Sequence, residues 1–542
     1  TASVTVNSIN RTGKTTVNGG KLTVSAFANE IGQEVGSLGT IDKTFTLYNN
    51  AALSLSATAT SGQKIFVGEG GGQLDIPQGV TLTLEKGVGA IGSGTVLTKT
   101  GTGTLNMGGG NSVSKLVIER GVVNASETNA VIQLPATVEL RGGTLYDPAS
   151  DYSYSTNNVN FVVPENCTGT FYSDPRCNYK GRLTGSGTFR VYGTGIRDYF
   201  QGNWSQFEGT VIPGVSKRGS YDPDFTFDNS YGLPKATLQM DAGVTFNNNG
   251  KNVEIGNITG SGTLAGSGTY IIGTNGADIR FRGAINSAVQ KKGAGIWYLT
   301  TSGKLENAKT ITVNEGMLYI DTYNSTTSVT GSKGITVNGG ASVKGTGTLG
   351  ALVLNGGAEL TPGRTTTDDV SGFVATQGAL TANAESVVNL NIKGKANSNS
   401  SRSFLKVGTA LTLNGVLNVT LSSTYIPAQG DEIVLWTAAS FNGDPVINLP
   451  VLPLGLKWDD SDLLNATGIL RVLDDPTGIS SVMDGGKVKC RVYTFNGIYV
   501  CDFECYSDDV ITVMRSKGLA GGTYIVRVGS DTGTENIKIV IK

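Results

Sequence analysis

The tetrad G-[ST]-G-T begins at Gly92, Gly101, Gly185, Gly260, Gly266 and Gly345, and this repetition limits the possible folds more than any other feature. From Gly101 the steps to Gly185, Gly260 and Gly345 are 84, 75 and 85 residues. Between them a shorter unit recurs: TVNGGKLTV at 16–24, VIERGVVNA at 117–125, VELRGGTLY at 138–146, TVNEGMLYI at 312–320, TVNGGASVK at 336–344 and VLNGGAELT at 353–361. Each unit holds a few strand-forming residues, a polar corner with glycine, then a few more strand-forming residues. Alternating apolar and polar positions give each piece one buried face. The glycines supply the positive φ that turns the chain without a clash. Strands this short are not stable alone, but stacked coils pair their backbones and share one core. The expected fold is therefore a parallel β-solenoid spanning residues 1–473. At ~20–25 residues per coil and ~4.8 Å of rise, residues 1–400 would form a rod roughly 80–100 Å long.

Composition removes several functional classes. Histidine is absent, which excludes Ser-His-Asp hydrolysis, Cys-His proteolysis and imidazole metal sites. The 42 Lys and Arg against 43 Asp and Glu leave a net charge of −1, a poor match for nucleic acid. The apolar runs are strand-sized, as in IVLWTAA at 433–439, so no transmembrane segment is expected. No pattern calls for a cofactor or a metal. The chain opens at Thr1 without a leader, which fits a processed protein or a fragment. The five cysteines have no C-x-x-C spacing, and Cys167 with Cys177 is a candidate disulfide in an exported chain.

Residues 345–350, GTGTLG, spell the G-x-G-x-x-G of a dinucleotide-binding loop. That loop needs a following helix whose N-terminus meets the pyrophosphate. Here ALVLNGGAELTPG follows, which reads as strand, corner, strand. The glycines are assigned to architecture.

Two segments depart from the repeat. Residues 146–232 carry 17 of the 40 aromatic residues and read as an irregular or inserted region. Surface aromatics stack on sugar rings and neighbouring polar groups bond hydroxyls. Tyr152, Tyr154, Tyr172, Tyr179, Tyr199 and Trp204, with Arg176 and Arg197, are thus candidate glycan contacts. The competing reading, favoured for Trp204 and Phe207, is stacked core. Arg176, Lys180, Arg182, Arg197 and Asp198 form a mixed-charge group that a β-helical polysaccharide lyase could use, although ordinary solvated charges explain it equally well. Residues 474–481 read as a linker. Residues 482–542 form denser strands with hairpin turns at Asn496–Gly497 and within 529–535, as in a small antiparallel sandwich.

Two resemblances follow from these residues. ITGSGTLAGSGTYIIGTNGADIRFRGAI (258–285), AVQKKGAGIWYLTTSGKLENAKTITVNEGMLYI (288–320), GTGTLGALVLNGGAELTPG (345–363) and the closing LTLNGVLNVTLSS with GDEIVLWTAASFNG resemble autotransporter-associated β-strand repeats. That resemblance implies a right-handed parallel β-helix. VYTFNGIYV (492–500), LAGGTYIVRV (519–528) and IKIVIK (537–542) are similar to the C-terminal sorting domain of type IX secretion cargo in Bacteroidota. It implies export through the periplasm to the outer-membrane surface or medium by the type IX translocon and its outer-membrane shuttle protein. It also implies removal of the sorting domain or its exchange for a surface lipopolysaccharide anchor. On this resemblance Asn496 and Gly497 match the inner turn, and Gly521, Gly522, Tyr524, Val526 and Val528 match the terminal motif. The expectation is a non-catalytic adhesin or spacer. The alternatives are a lyase or a glycan-binding module of a surface polysaccharide-utilisation apparatus.

Overall fold

The structure is a computed structural model. It describes residues 3–541 apart from 7–12, 26–42, 130, 150–153, 194–196, 216–223, 323–326, 365–371, 396, 399–400, 454, 476–485, 507–508 and 531–532. The chain divides into two compact units, Thr1–Ala358 and Glu359–Lys542.

The first unit is a parallel β-helix, as the repeats predict. One coil consists of three short strands, for example Ile65–Val67, Gly72–Asp75 and Thr81–Leu84. Each strand pairs in parallel with its counterpart one coil on. Leu97, Leu116, Val138, Phe161 and Leu183 stand one above the next, at separations of 19, 22, 23 and 22 residues. All five are fully or almost fully buried, so a single column of side chains runs along the core. The asparagines of the shorter unit do equivalent work on the outside. Asn314 donates to Gln290 at 3.3 Å, Asn338 to Asn314 at 2.7 Å and Asn355 to Asn338 at 2.7 Å, which ties four coils together at one corner.

The tetrad glycines sit where the coil bends against its neighbour. Gly101 has φ +70°, and a Cβ there would lie 2.2 Å from the Ile76 carbonyl oxygen. Gly345 has φ +104°, and a Cβ would lie 2.1 Å from the Ile320 carbonyl oxygen. GTGTL belongs to the strand Ala341–Leu349, and the strand Ala351–Leu354 follows it directly. No helix N-terminus is present to receive a phosphate, and Thr346 is fully buried.

Two lysines play a part that the repeat pattern alone does not announce. Lys99 occupies the inward column between Leu74 and Ile118 and is fully buried. Its ammonium donates to the carbonyls of Thr100 at 2.8 Å, Gly101 at 2.8 Å and Arg120 at 3.2 Å. Lys291 repeats the arrangement, donating to Lys292, Gly293 and Glu315 carbonyls. The local texts are K-T-G-T-G and K-K-G-A-G, each answered one coil later by a glycine, Gly121 or Gly316, beside the ammonium. All three N–H donors are used, which is how a buried charge is tolerated. Burial still pulls both ammonium groups down to about 8.

In the second unit the coils are longer: Val388 lies over Leu417 and Leu380 over Leu411, at separations of 29 and 31 residues. An antiparallel addition closes this stack. Thr467–Asp474 pairs with Glu432–Thr437, and Leu456–Asp459 pairs with Thr467–Asp474. Gly468 lies under the buried Trp436 ring, where a Cβ would be 2.1 Å from it. Most of the expected linker, 474–481, falls outside the described residues.

The C-terminal strands form the expected antiparallel domain, but its second layer differs from a sandwich. Four strands, Lys487–Thr494, Tyr499–Tyr506, Gly522–Ser530 and Gly533–Ile541, make one antiparallel sheet. A helix, Val510–Ser516, covers one face where a second sheet was expected. Val510 and Met514, one helical turn apart, bury against Val488, Cys490, Val492, Val526, Val528 and Ile539. The helix ends in a Schellman motif. Gly518 N–H donates to Arg515 O at 3.0 Å, Leu519 N–H to Met514 O at 3.4 Å, and Gly518 has φ +76°.

Lys99→Met and Lys291→Met each leave a set of corner carbonyls without their donor. Each substitution should cost about 1–3 kcal/mol of local stability. Amide hydrogen exchange across 99–121 or 291–316 checks this, and unchanged protection would refute the role.

Candidate functional site

The aromatic segment is not an insertion. It continues the same coils with larger side chains, its strands Thr144–Asp147, Thr168–Ser173 and Thr188–Gly193 pairing in order. Inward positions carry Phe161, Phe171, Tyr179, Phe189, Phe200, Trp204, Phe207, Phe225 and Phe246, all buried. The Tyr179 and Phe200 rings stack at 4.8 Å, and Trp204 meets Phe200 edge-on at 4.5 Å. The Trp204 indole donates to the Gly181 carbonyl at 3.1 Å. Tyr179 and Trp204 are therefore core, and as sugar-facing residues they are corrected. Tyr152 lies outside the described residues, and Tyr154 is described only as backbone in the strand Tyr154–Asn157.

The remaining predicted residues do not converge. Tyr172 and Tyr199 face outward and are half-buried, but they stand on different sides of the coil, Tyr172 in Thr168–Ser173 and Tyr199 in Asp198–Phe200. Arg176 is half-buried beside Tyr154 in register, and Arg197 is an exposed corner residue with φ +61°. Asp198 is fully buried and accepts the Cys177 N–H at 2.9 Å, so the mixed-charge lyase group is not a solvent-facing set. Cys167 and Cys177 are free thiols, so the candidate disulfide is not formed. Cys177 points into the core, where burial and then the carboxylates of Asp198 and Asp147 push its thiol up.

An outward column does form, from residues sequence reasoning only partly identified. Tyr146, Tyr172 and Tyr192 are in register on three successive coils, with ring centroids 5.4 and 5.9 Å apart. The Tyr146 hydroxyl donates to Asp174. Gly214, next in register, leaves space for the Tyr192 ring, since a Cβ there would lie 2.4 Å from it. The signal was available in the aligned texts TLYD, TFYS and RVYG, where the tyrosines share one position.

Beside this column lies a buried acidic corner. Asp147 shares the inward parity of Leu145 and is fully buried. Burial, and then the Glu127 carboxylate on the preceding coil, push its carboxyl up to about 7. Ser155, Ser173 and Asp174 are also buried at this corner. Among the described residues no group of three or more Cys, Asp or Glu is arranged to hold a metal ion.

The C-terminal domain places the proposed sorting residues by ordinary packing rules. Val526 and Val528 are fully buried under the helix, and the Tyr524 hydroxyl donates to the Ala520 carbonyl at 2.9 Å. Gly497 turns the first hairpin at φ +81°, with Asn496 exposed beside it. Gly521 and Gly522 are exposed at the entry to the third strand.

No model of a known protein family matches the chain, and no curated protein matches it in sequence.

Asp147 gives a pH dependence of definite sign. Its folded carboxyl binds a proton more tightly than the unfolded one, so its contribution is fully present below about pH 4 and is lost as pH rises through about 7. Asp147→Asn should flatten the stability profile between these limits and raise stability at pH 8. Thermal melts from pH 4 to 8 test this, and an Asn variant that keeps the wild-type slope would contradict it.

Proposed function

We propose that this chain is an exported, non-catalytic β-helical protein, displayed at the outer-membrane surface or released, with residues 482–542 as its type IX export signal. The carrying observation is the C-terminal domain: a separate antiparallel sheet with its own core, in which Asn496–Gly497 forms a hairpin and 519–541 supplies the last two strands. The residues that resemble a sorting motif thus belong to one folded element. The β-helix suits a spacer or adhesin, because one coil pattern repeats along its length and outer positions form ladders that continue from coil to coil. The translocon and its shuttle protein are the partners this reading requires, and a surface lipopolysaccharide is the anchor it allows.

A second reading, glycan binding, is favoured by the outward column of Tyr146, Tyr172 and Tyr192. Aligned half-buried rings, with the exposed Arg190 beside Tyr192, offer stacking faces and a polar partner to a saccharide lying along the coils.

Deleting residues 519–542 removes both final strands and four of the nine buried core residues, Val526, Val528, Ile539 and Ile541. The truncated protein should accumulate in the periplasm of its own host, as seen by fractionation and surface labelling. Normal surface display would refute the export reading.

A further inference from the structure

The helix covers only one face of the C-terminal sheet, and the other is lined with charged side chains of both signs. Alternation along Lys487–Thr494 puts Val488, Cys490 and Val492 inward and Lys487, Lys489 and Arg491 outward, all three exposed. The register across the sheet then sets one row of Glu504, Lys489, Gly529 and Thr534, and the next of Asp502, Arg491, Arg527 and Asn536. A third row adds Tyr499, Tyr493, Ile525 and Lys538.

Arg491 and Arg527 are directly opposite each other. Like charges at opposed ladder positions oppose sheet formation. Lys489 is compensated by Glu504 at 3.3 Å, but among the described residues no carboxylate lies within ion-pair distance of Arg491 or Arg527. These side chains line a groove of ≈ 670 Å³ together with Lys487, Lys489, Asp502 and Glu504. Gly529 keeps its floor open, since a Cβ there would come within 3.2 Å of Thr534. Exposed aromatics rim the same face and its hairpin: Tyr506, Tyr499 and Phe495 are 55%, 52% and 62% exposed.

We propose that this face is the docking surface for an acidic segment of a protein component of the export machinery, with a carboxylate bridging Arg491 and Arg527. The proposal rests on the export reading and names the face that would be recognised. A bridging carboxylate turns the Arg–Arg repulsion into two charge-assisted contacts. Arginines set among exposed tyrosines and phenylalanine match the composition of protein interfaces more closely than a uniform basic patch would.

The test uses the full chain in its own host, with surface display and periplasmic content measured for four variants. The Arg491→Glu/Arg527→Glu double variant should lower surface display by roughly tenfold or more. Arg491→Gln/Arg527→Gln, which adds no repulsion, should show an intermediate loss, and Arg491→Lys/Arg527→Lys should retain most display. Unchanged thermal melts of the purified variants separate lost docking from lost folding, and the Gln variant carries the test if the Glu variant does not fold. Wild-type display of the Glu and Gln variants, with the 519–542 deletion trapped, overturns the docking face but not the export reading. Normal display of all variants, the deletion included, overturns both. Export of the Glu variant at the normal rate with release into the medium would assign the face to an anionic surface glycan and overturn the protein partner.

Discussion

Everything in the β-helical body depends on one constraint: each coil must pair its backbone with the coil beneath it while turning three corners. Short parallel strands leave little else to hold them, so corners and columns carry the specificity. At the corners, close carbonyls such as Ile76 O beneath Gly101 and Ile320 O beneath Gly345 exclude any side chain. In the columns, Leu97 through Leu183 fill the core at one residue per coil. The nucleotide-like GTGTLG follows from this constraint.

The two corner lysines show how far the same constraint reaches. A coil that bends sharply turns carbonyls inward, away from water, and these need donors. Lys99 and Lys291 each supply three donors from one side chain, to their own corner and to the next coil. The cost of burying the charge shows in ammonium groups drawn down to about 8. Asp147 is the opposite case, a buried acid whose neighbour Glu127 adds to the burial cost. Both arise from the strict two-residue alternation of a strand.

Much of the fold was legible because glycine and alternation are local signals. The coil grammar, the Asn496–Gly497 hairpin and the architectural role of the tetrads all follow from short stretches. Lys99 and Asp147 were not legible from residue type, since charge argues for an outward position; only their parity with Leu97 and Leu145 places them inside. Trp204 already read as core more readily than as platform, and burial beside Phe200 places both it and Tyr179 inside. The helix Val510–Ser516 was hidden by its β-branched run, VITV, which favours a strand. Its stop signal, Gly518 followed by Leu519, was present in the sequence, and tertiary burial of Val510 and Met514 outweighed local propensity. The charged outer face of the C-terminal sheet was visible in the alternation of KVKCRV, but the opposition of Arg491 to Arg527 needed the strand register.

The coil, not the residue, is the structural unit of the β-helix. Removing one whole coil puts this to the test. Deleting residues 161–182 puts Leu183 in the place of Phe161 and Thr188–Gly193 above Thr144–Asp147, so every column continues. The shortened chain should fold, with strand content and amide protection close to the parent's. Deleting only 161–171 breaks the register and should abolish protection through the neighbouring coils. Equal damage from both deletions, measured by hydrogen exchange, would contradict the claim.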